Sequence, residues 1–207
     1  MFNILIRTSG RPKFFDICYQ SIVAQTYGDY RILVSDDGDS NYAYDYPVEV
    51  IKVRKREGYC FWNLYMNELL AKVDKGWIIY LDDDVTMRPN ALEVISQRCD
   101  SVKKVIVWKY QFASGRVIPE PGFWEIEPTR KHWDSGCFCH HSKQRVFWPR
   151  ARAADWRVGG RLWRRGLRFD WIDEVLFDAG NNGDIGQKHD FILPGQIEGL
   201  CPDEIDL

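Results

Sequence analysis

Three aspartates, Asp82-Asp83-Asp84, follow directly on the five apolar residues Trp77 to Leu81. At loop spacing such carboxylates repel one another unless water, backbone donors or a cation offsets the charge. A hard cation such as Mg²⁺ or Mn²⁺ is commonly held by one or two carboxylates, with phosphate oxygens and water completing its shell. The triplet therefore suits a nucleotide-diphosphate site, with Asp82 or Asp84 on the metal. A solvated acidic turn is the alternative for an arbitrary triplet, but the position at the end of a buried strand favours the metal.

A second acidic loop, Asp36-Asp37-Gly38-Asp39, follows the apolar run Ile32-Leu33-Val34. Cys137, Cys139, His140 and His141 invite a zinc reading, yet zinc modules usually separate paired cysteines by two to four residues, and here only one residue intervenes. The stretch from Lys143 to Arg168 carries nine Lys/Arg against the single acid Asp155, whereas residues 169–207 carry ten acids against Lys188. The basic stretch, with Phe147, Trp148, Trp156 and Trp163 interleaved, will attract anions: a nucleotide-sugar, a lipid pyrophosphate or an anionic membrane surface all fit. Nucleic acid is not the expected partner of a chain with pI ≈ 6.1. Neither G-x-x-x-x-G-K-[ST] nor G-x-G-x-x-G occurs, so glycine loops do not cradle the phosphates, and no G-x-S-x-G elbow is present.

These residues need elements to place them. Phe2 to Arg7 reads as a buried strand, Pro12 opens a helix to about Gln25 with Phe14, Phe15, Cys18 and Ile22 on one face, and Tyr30 to Ser35 is a second strand. Val48 to Val53 predicts a third strand, a helix follows from about Tyr59 to Val73, and Trp77 to Leu81 is a fourth strand. Pro89 opens another helix to about Cys99. Beyond Ser101 the expected pieces are strands at Lys104 to Tyr110, Gly136 to His141 and Leu167 to about Ile172, with one helix over Arg152 to Arg165. Alternating strands and helices predict a mostly parallel sheet covered on both faces, with ligands outside the carboxyl ends of the strands, where both acidic loops lie.

Three blocks, in order, resemble the family-two inverting glycosyltransferases of the GT-A fold. The first runs from Ile4 to Gly38, with Thr8, Arg11-Pro12, Gln25-Thr26-Tyr27 and Ser35-Asp36-Asp37-Gly38. The second is Gly76 to Asp84, ending in that family's D-x-D motif, and the third, Ala154-Asp155-Trp156 through Phe169, looks like its E-D-W stretch. The resemblance implies an α/β/α sandwich of three layers. Thr8, Arg11, Asp36, Asp37, Asp82 and Asp83 would lie at the nucleotide, and Asp84, Asp82 and His189 at a Mn²⁺ or Mg²⁺ ion. Trp133, Asp134 and Trp156 would lie at the acceptor, and Asp155 would be the catalytic base. Ala154 stands where the family usually has Glu, and Met66 where an Arg commonly precedes Asn67.

Some residues keep two readings. Asp155 is either the base or an ordinary acid at a helix start. Trp133 either stacks on a sugar or fills the core. His189 is either a metal ligand or a surface histidine. The implied activity is transfer of a sugar, UDP-linked, to a hydroxyl of a glycan, lipid-linked or protein acceptor. A sugar-phosphate nucleotidyltransferase and a non-catalytic nucleotide-sugar-binding module are the alternatives, although Ser9-Gly10-Arg11 is too short for the glycine-rich loop of the former.

The 207 residues, 45% hydrophobic and 28% charged, suit one globular unit, with a nucleotide-binding half over about 1–100 and an acceptor-binding half over about 101–207. No apolar run approaches the ~18 residues of a membrane helix. Arg7 interrupts the first apolar run too early for a signal peptide, which with six cysteines read as reduced thiols predicts a cytoplasmic protein.

Overall fold

The computed structural model describes residues 1–38, 46–53 and 62–180. Among these residues nine strands form one sheet: β1 (Phe2–Thr8), β2 (Tyr30–Asp36), β3 (Glu49–Lys52), β4 (Trp77–Asp82), β5 (Val85–Met87), β6 (Lys104–Phe112), β7 (Val117–Ile118), β8 (Phe138–His141) and β9 (Arg168–Ala179). The helices are α1 (Pro12–Val23), α2 (Trp62–Leu70), α3 (Ala91–Ser96) and α4 (Ala154–Arg164). The strand order is β3-β2-β1-β4-β8-β6-β9-β5, with β7 against β6.

The class is the expected α/β. The sheet is mixed: β3, β2, β1 and β4 run parallel, β8 is inserted antiparallel between β4 and β6, and β6 and β9 are again parallel. The chain leaves β1 towards β2 but returns from β3 to β4 across it. Right-handed crossovers in these opposite directions put α1 and α2 on opposite faces. β4 is apolar as far as Asp82, and β1 carries the apolar run Ile4-Leu5-Ile6 between Asn3 and Arg7; both faces are covered, and Ile4, Leu5, Ile6, Ile79, Tyr80 and Leu81 are buried.

Differences from the sequence reading have local causes. α1 ends at Val23, before Gln25, because the Gln25 amide bridges elements: it donates to the Ser21 and Arg88 carbonyls and accepts from Leu92 N at 2.9 Å. α3 spans six residues, and the chain from Ser96 to Cys99 tightens into bonds three residues apart. α4 excludes Arg152 because Ala153 sits at φ +50°, a left-handed conformation that a helix cannot continue through. Gly136 and Cys137 belong to a 3₁₀ turn capped by Asp134 and not to β8. β9 runs on to Ala179, past a register shift against β6, and there pairs with the short β5. The first residues of the expected second helix, 59–61, lie outside the described residues.

Candidate functional site

The carboxyl ends of β2, β1 and β4 are adjacent in the sheet and bring together the loops beginning at Asp36, Thr8 and Asp82. Two of these loops are sewn to each other through Asp36. Its fully buried carboxylate accepts from Gly10 N at 3.0 Å and Gly38 N at 2.9 Å and pairs with Lys52. A Cβ on Gly38 would lie 2.2 Å from Gly10 N, so only glycine permits this contact of backbones. Asp37 is also buried, its N–H directed to the Thr8 carbonyl at 3.4 Å.

The three aspartates of the triplet have separate tasks. Asp82 accepts from Arg7 Nε at 2.9 Å, and its side chain is 39% exposed. Asp83 has no exposed side-chain surface; it takes the Thr8 hydroxyl at 2.6 Å and the Arg11 guanidinium through two nitrogens, Nε at 2.9 Å. Expected at the nucleotide, Asp83 is thus an internal strut, because its carboxylate is fully buried and both its oxygens are engaged by Thr8 and Arg11. Asp84 is partly buried, and its carboxyl is held above the usual range, first by burial and then by the charge of Asp82, against the pull of Arg11 and Arg7.

Asp155 stands in the first turn of α4. Burial, followed by the charge of Asp134, pushes its carboxyl up to about 8; the N–H groups of Trp156 and Asp155 and the charge of Arg7 oppose this. Asp134 accepts from Gly136 N at 2.9 Å and Ser135 Oγ at 3.3 Å, yet burial and Asp82 still raise it to about 6. Arg7 bonds Asp82 and acts through its charge on Asp84, Asp134 and Asp155, so the four carboxylates are grouped around this guanidinium.

Arg7 is the residue that sequence reasoning missed. An arginine directly after the buried run Ile4-Leu5-Ile6 was the available signal. Asn63 and Asn67 were also missed; from α2 they hold the approach to α4. Asn63 donates to the Pro149 and Ala151 carbonyls at 3.0 and 2.8 Å, while Asn67 donates to the Trp148 carbonyl at 2.9 Å and accepts from Trp148 N at 2.8 Å. Met66, where the family commonly has Arg, is buried between them in the core.

Trp133 is 4% exposed and lies against α4, where a Cβ on Gly159 would come within 2.7 Å of its ring. It therefore occupies the core and offers no ring face to a sugar. Trp156 is half-buried, with the Arg157 guanidinium 5.3 Å from its ring centre. His140 and Tyr80 share a buried bond of 2.6 Å, and Cys137 Sγ donates to the Asp134 carbonyl at 2.9 Å, so these zinc-type side chains have other partners. His189 lies outside the described residues.

Among the described residues no group of three or more His, Cys, Asp or Glu could by itself hold a metal. Asp82 and Asp84, two hard oxygen donors of which Asp84 is raised first by burial and then by the charge of Asp82, fit Mg²⁺ or Mn²⁺ if diphosphate oxygens and water complete the shell. Cys18, Cys99, Cys137 and Cys139 are free thiols. No described helix is long and apolar enough to cross a membrane.

In fold the chain is similar to S. aureus TarS, whose crystal structure aligns with a TM-score of 0.70 at 15% identity over 86% of this chain and 36% of TarS. Residues 1–349 of TarS align at 0.69 and 16% identity, covering 86% of this chain and 60% of that one. The complex of TarS 1–349 with UDP-GlcNAc aligns at 0.65 and 14% identity, over 86% and 58%. The chain thus spans less than two thirds of each of these proteins. No curated protein matches it in sequence. The sequence from residue 4 to residue 158 does match Glycosyl transferase family 2. That match takes in the loop of Asp36, the triplet and Asp155, and the chain belongs to this family.

Proposed function

We propose that this chain transfers a sugar from a nucleotide diphosphate, a UDP-sugar, to an acceptor hydroxyl with inversion, assisted by Mn²⁺ or Mg²⁺. The observation that carries the reading is the electrostatic unit of Arg7 with Asp82, Asp84, Asp134 and Asp155: one guanidinium is grouped with the two outer carboxylates of the triplet and with the desolvated carboxylates of Asp134 and Asp155. Family membership supports it, as does the crystallisation of the similarly folded TarS with UDP and with UDP-GlcNAc.

In this reading Asp155 accepts the proton of the acceptor hydroxyl. The oxygen attacks the anomeric carbon from the face opposite the diphosphate, whose bond to that carbon breaks with its electron pair leaving on phosphate oxygen. A carboxylate with a raised pKa suits the task, because it binds the proton more strongly than an exposed aspartate would. Arg7 holds Asp82 in place, and Asp83 fixes Arg11 beside it. A dication on Asp82 and Asp84 would supply charge stabilisation to the departing diphosphate. Asp134 and Trp156 line the acceptor side.

The test is a thermal-shift series of UDP, GDP and dTDP sugars with and without Mn²⁺, followed by release of nucleoside diphosphate. The reading expects a manganese-dependent shift with a UDP-sugar and turnover that Asp84→Ala abolishes. A shift without turnover for any acceptor would favour the binding module, and no shift with any nucleotide would refute the assignment.

A further inference from the structure

The Lys and Arg side chains of the stretch from Lys143 to Arg168 take no part in the site described above. Lys143, Arg145, Arg150, Arg152, Arg161, Arg164, Arg165 and Arg168 are all exposed. Arg161 and Arg165 donate to backbone carbonyls of the preceding turn, at 3.3 Å to Phe147 O and at 2.6 Å to Gln144 O. Arg164 pairs with Glu127 at 3.3 Å, whereas the positive charge of Arg161 and Arg165 is thereby fixed in position without a carboxylate in these bonds. The same bonds brace the turn that carries Phe147, a ring 60% exposed to water. Beneath it a groove of about 400 Å³ runs between Val146, Phe147 and Val158 and the guanidinium-bearing Arg161, Arg164 and Arg165.

We propose that the turn 142–147 and the exposed arginines of α4 dock on an anionic phospholipid bilayer, with Phe147 inserted at headgroup level and the arginines on lipid phosphates. Charge argues for this occupant. The chain as a whole carries −2, and outside this segment acids exceed bases by ten, so the net charge that favours a negatively charged bilayer is concentrated in this segment. The apolar tip argues the same way, since an aromatic ring ringed by cations suits the boundary between headgroups and acyl chains. Single-stranded nucleic acid would need successive open rings. Here the adjacent Trp148 is 2% exposed, and Arg157 lies over Trp156.

The proposal does not depend on the transferase reading, because vesicle binding needs no donor. The experiment is co-sedimentation of the whole chain with phosphatidylcholine vesicles, with and without phosphatidylglycerol, for the wild type, Phe147→Ser and Arg164→Gln. Circular dichroism melting checks that each variant is folded. The expected result is about tenfold stronger partitioning onto phosphatidylglycerol, reversed by high salt and reduced roughly fivefold by each substitution. Equal partitioning onto both vesicle types would overturn the proposal, as would an undiminished Phe147→Ser. Tight binding of an oligothymidylate that survives Phe147→Ser would assign the face to a soluble polyanion instead.

Discussion

Arg11, partly buried, and Asp83, fully buried, form an ion pair beside the triplet: two guanidinium nitrogens of Arg11 engage a carboxylate without exposed surface, and the Thr8 hydroxyl closes the same group at 2.6 Å. Asp84, the next residue, lacks such a guanidinium partner and has a raised carboxyl. Adjacent acids of one loop are thus divided into a strut and a group kept for ligand.

That division can be tested by stability. Asp83→Ala strips the partner from a partly buried arginine and should cost about 3–5 kcal/mol. Asp84→Asn removes a desolvated charge beside Asp82 and should leave stability unchanged or slightly higher, while weakening manganese-dependent nucleotide binding. Urea unfolding of both variants, with nucleotide titration of the second, measures the contrast.

Asp155→Asn should retain the fold and lose roughly 10²–10⁴-fold in turnover, the usual worth of a positioned base. In the wild type, kcat/KM should rise as pH increases through about 8, where Asp155 gives up its proton. A rate profile flat from pH 6 to pH 9 would remove Asp155 from this role.

Gly159→Ala should lower stability by about 1–3 kcal/mol, since the new Cβ would meet the Trp133 ring in a packed interior. The neighbouring Gly160→Ala is the control, because there the closest atom is 3.5 Å away, at the far end of the Glu127 side chain. Melting temperatures of the two variants should separate by several degrees, with Gly159→Ala the lower.

His140 links stability to acid. Burial depresses it to about 4, below its ordinary 6.5. The native state therefore holds it neutral, and the unfolded chain takes up the proton first. Its contribution is fully present above about 6.5 and is lost as pH falls towards 4, amounting to roughly 3 kcal/mol across that window. Urea midpoints at pH 7.5 and pH 5 should diverge less in His140→Gln than in the wild type.

The elements that carry the site were legible in the sequence because their signals are local. The apolar runs of β1, β2 and β4, the proline opening α1 and the helix holding Asp155 each follow from near neighbours along the chain. The placement of Asp36, Asp82 and Asp84 at strand ends follows from the same runs. What depends on distant partners was not legible. Nothing within the triplet distinguishes Asp83 from Asp84; the distinction is made by Thr8 and Arg11, more than seventy residues away in the chain. Likewise Trp133 belongs to the core only because Gly159 leaves room for it, and β8 lies antiparallel because β4 and β6 offer it edges on both sides. Short-range periodicity determined which elements form. Charge pairing and steric fit between remote segments decided which side chains were left for chemistry, and those contacts exist only after the chain has folded.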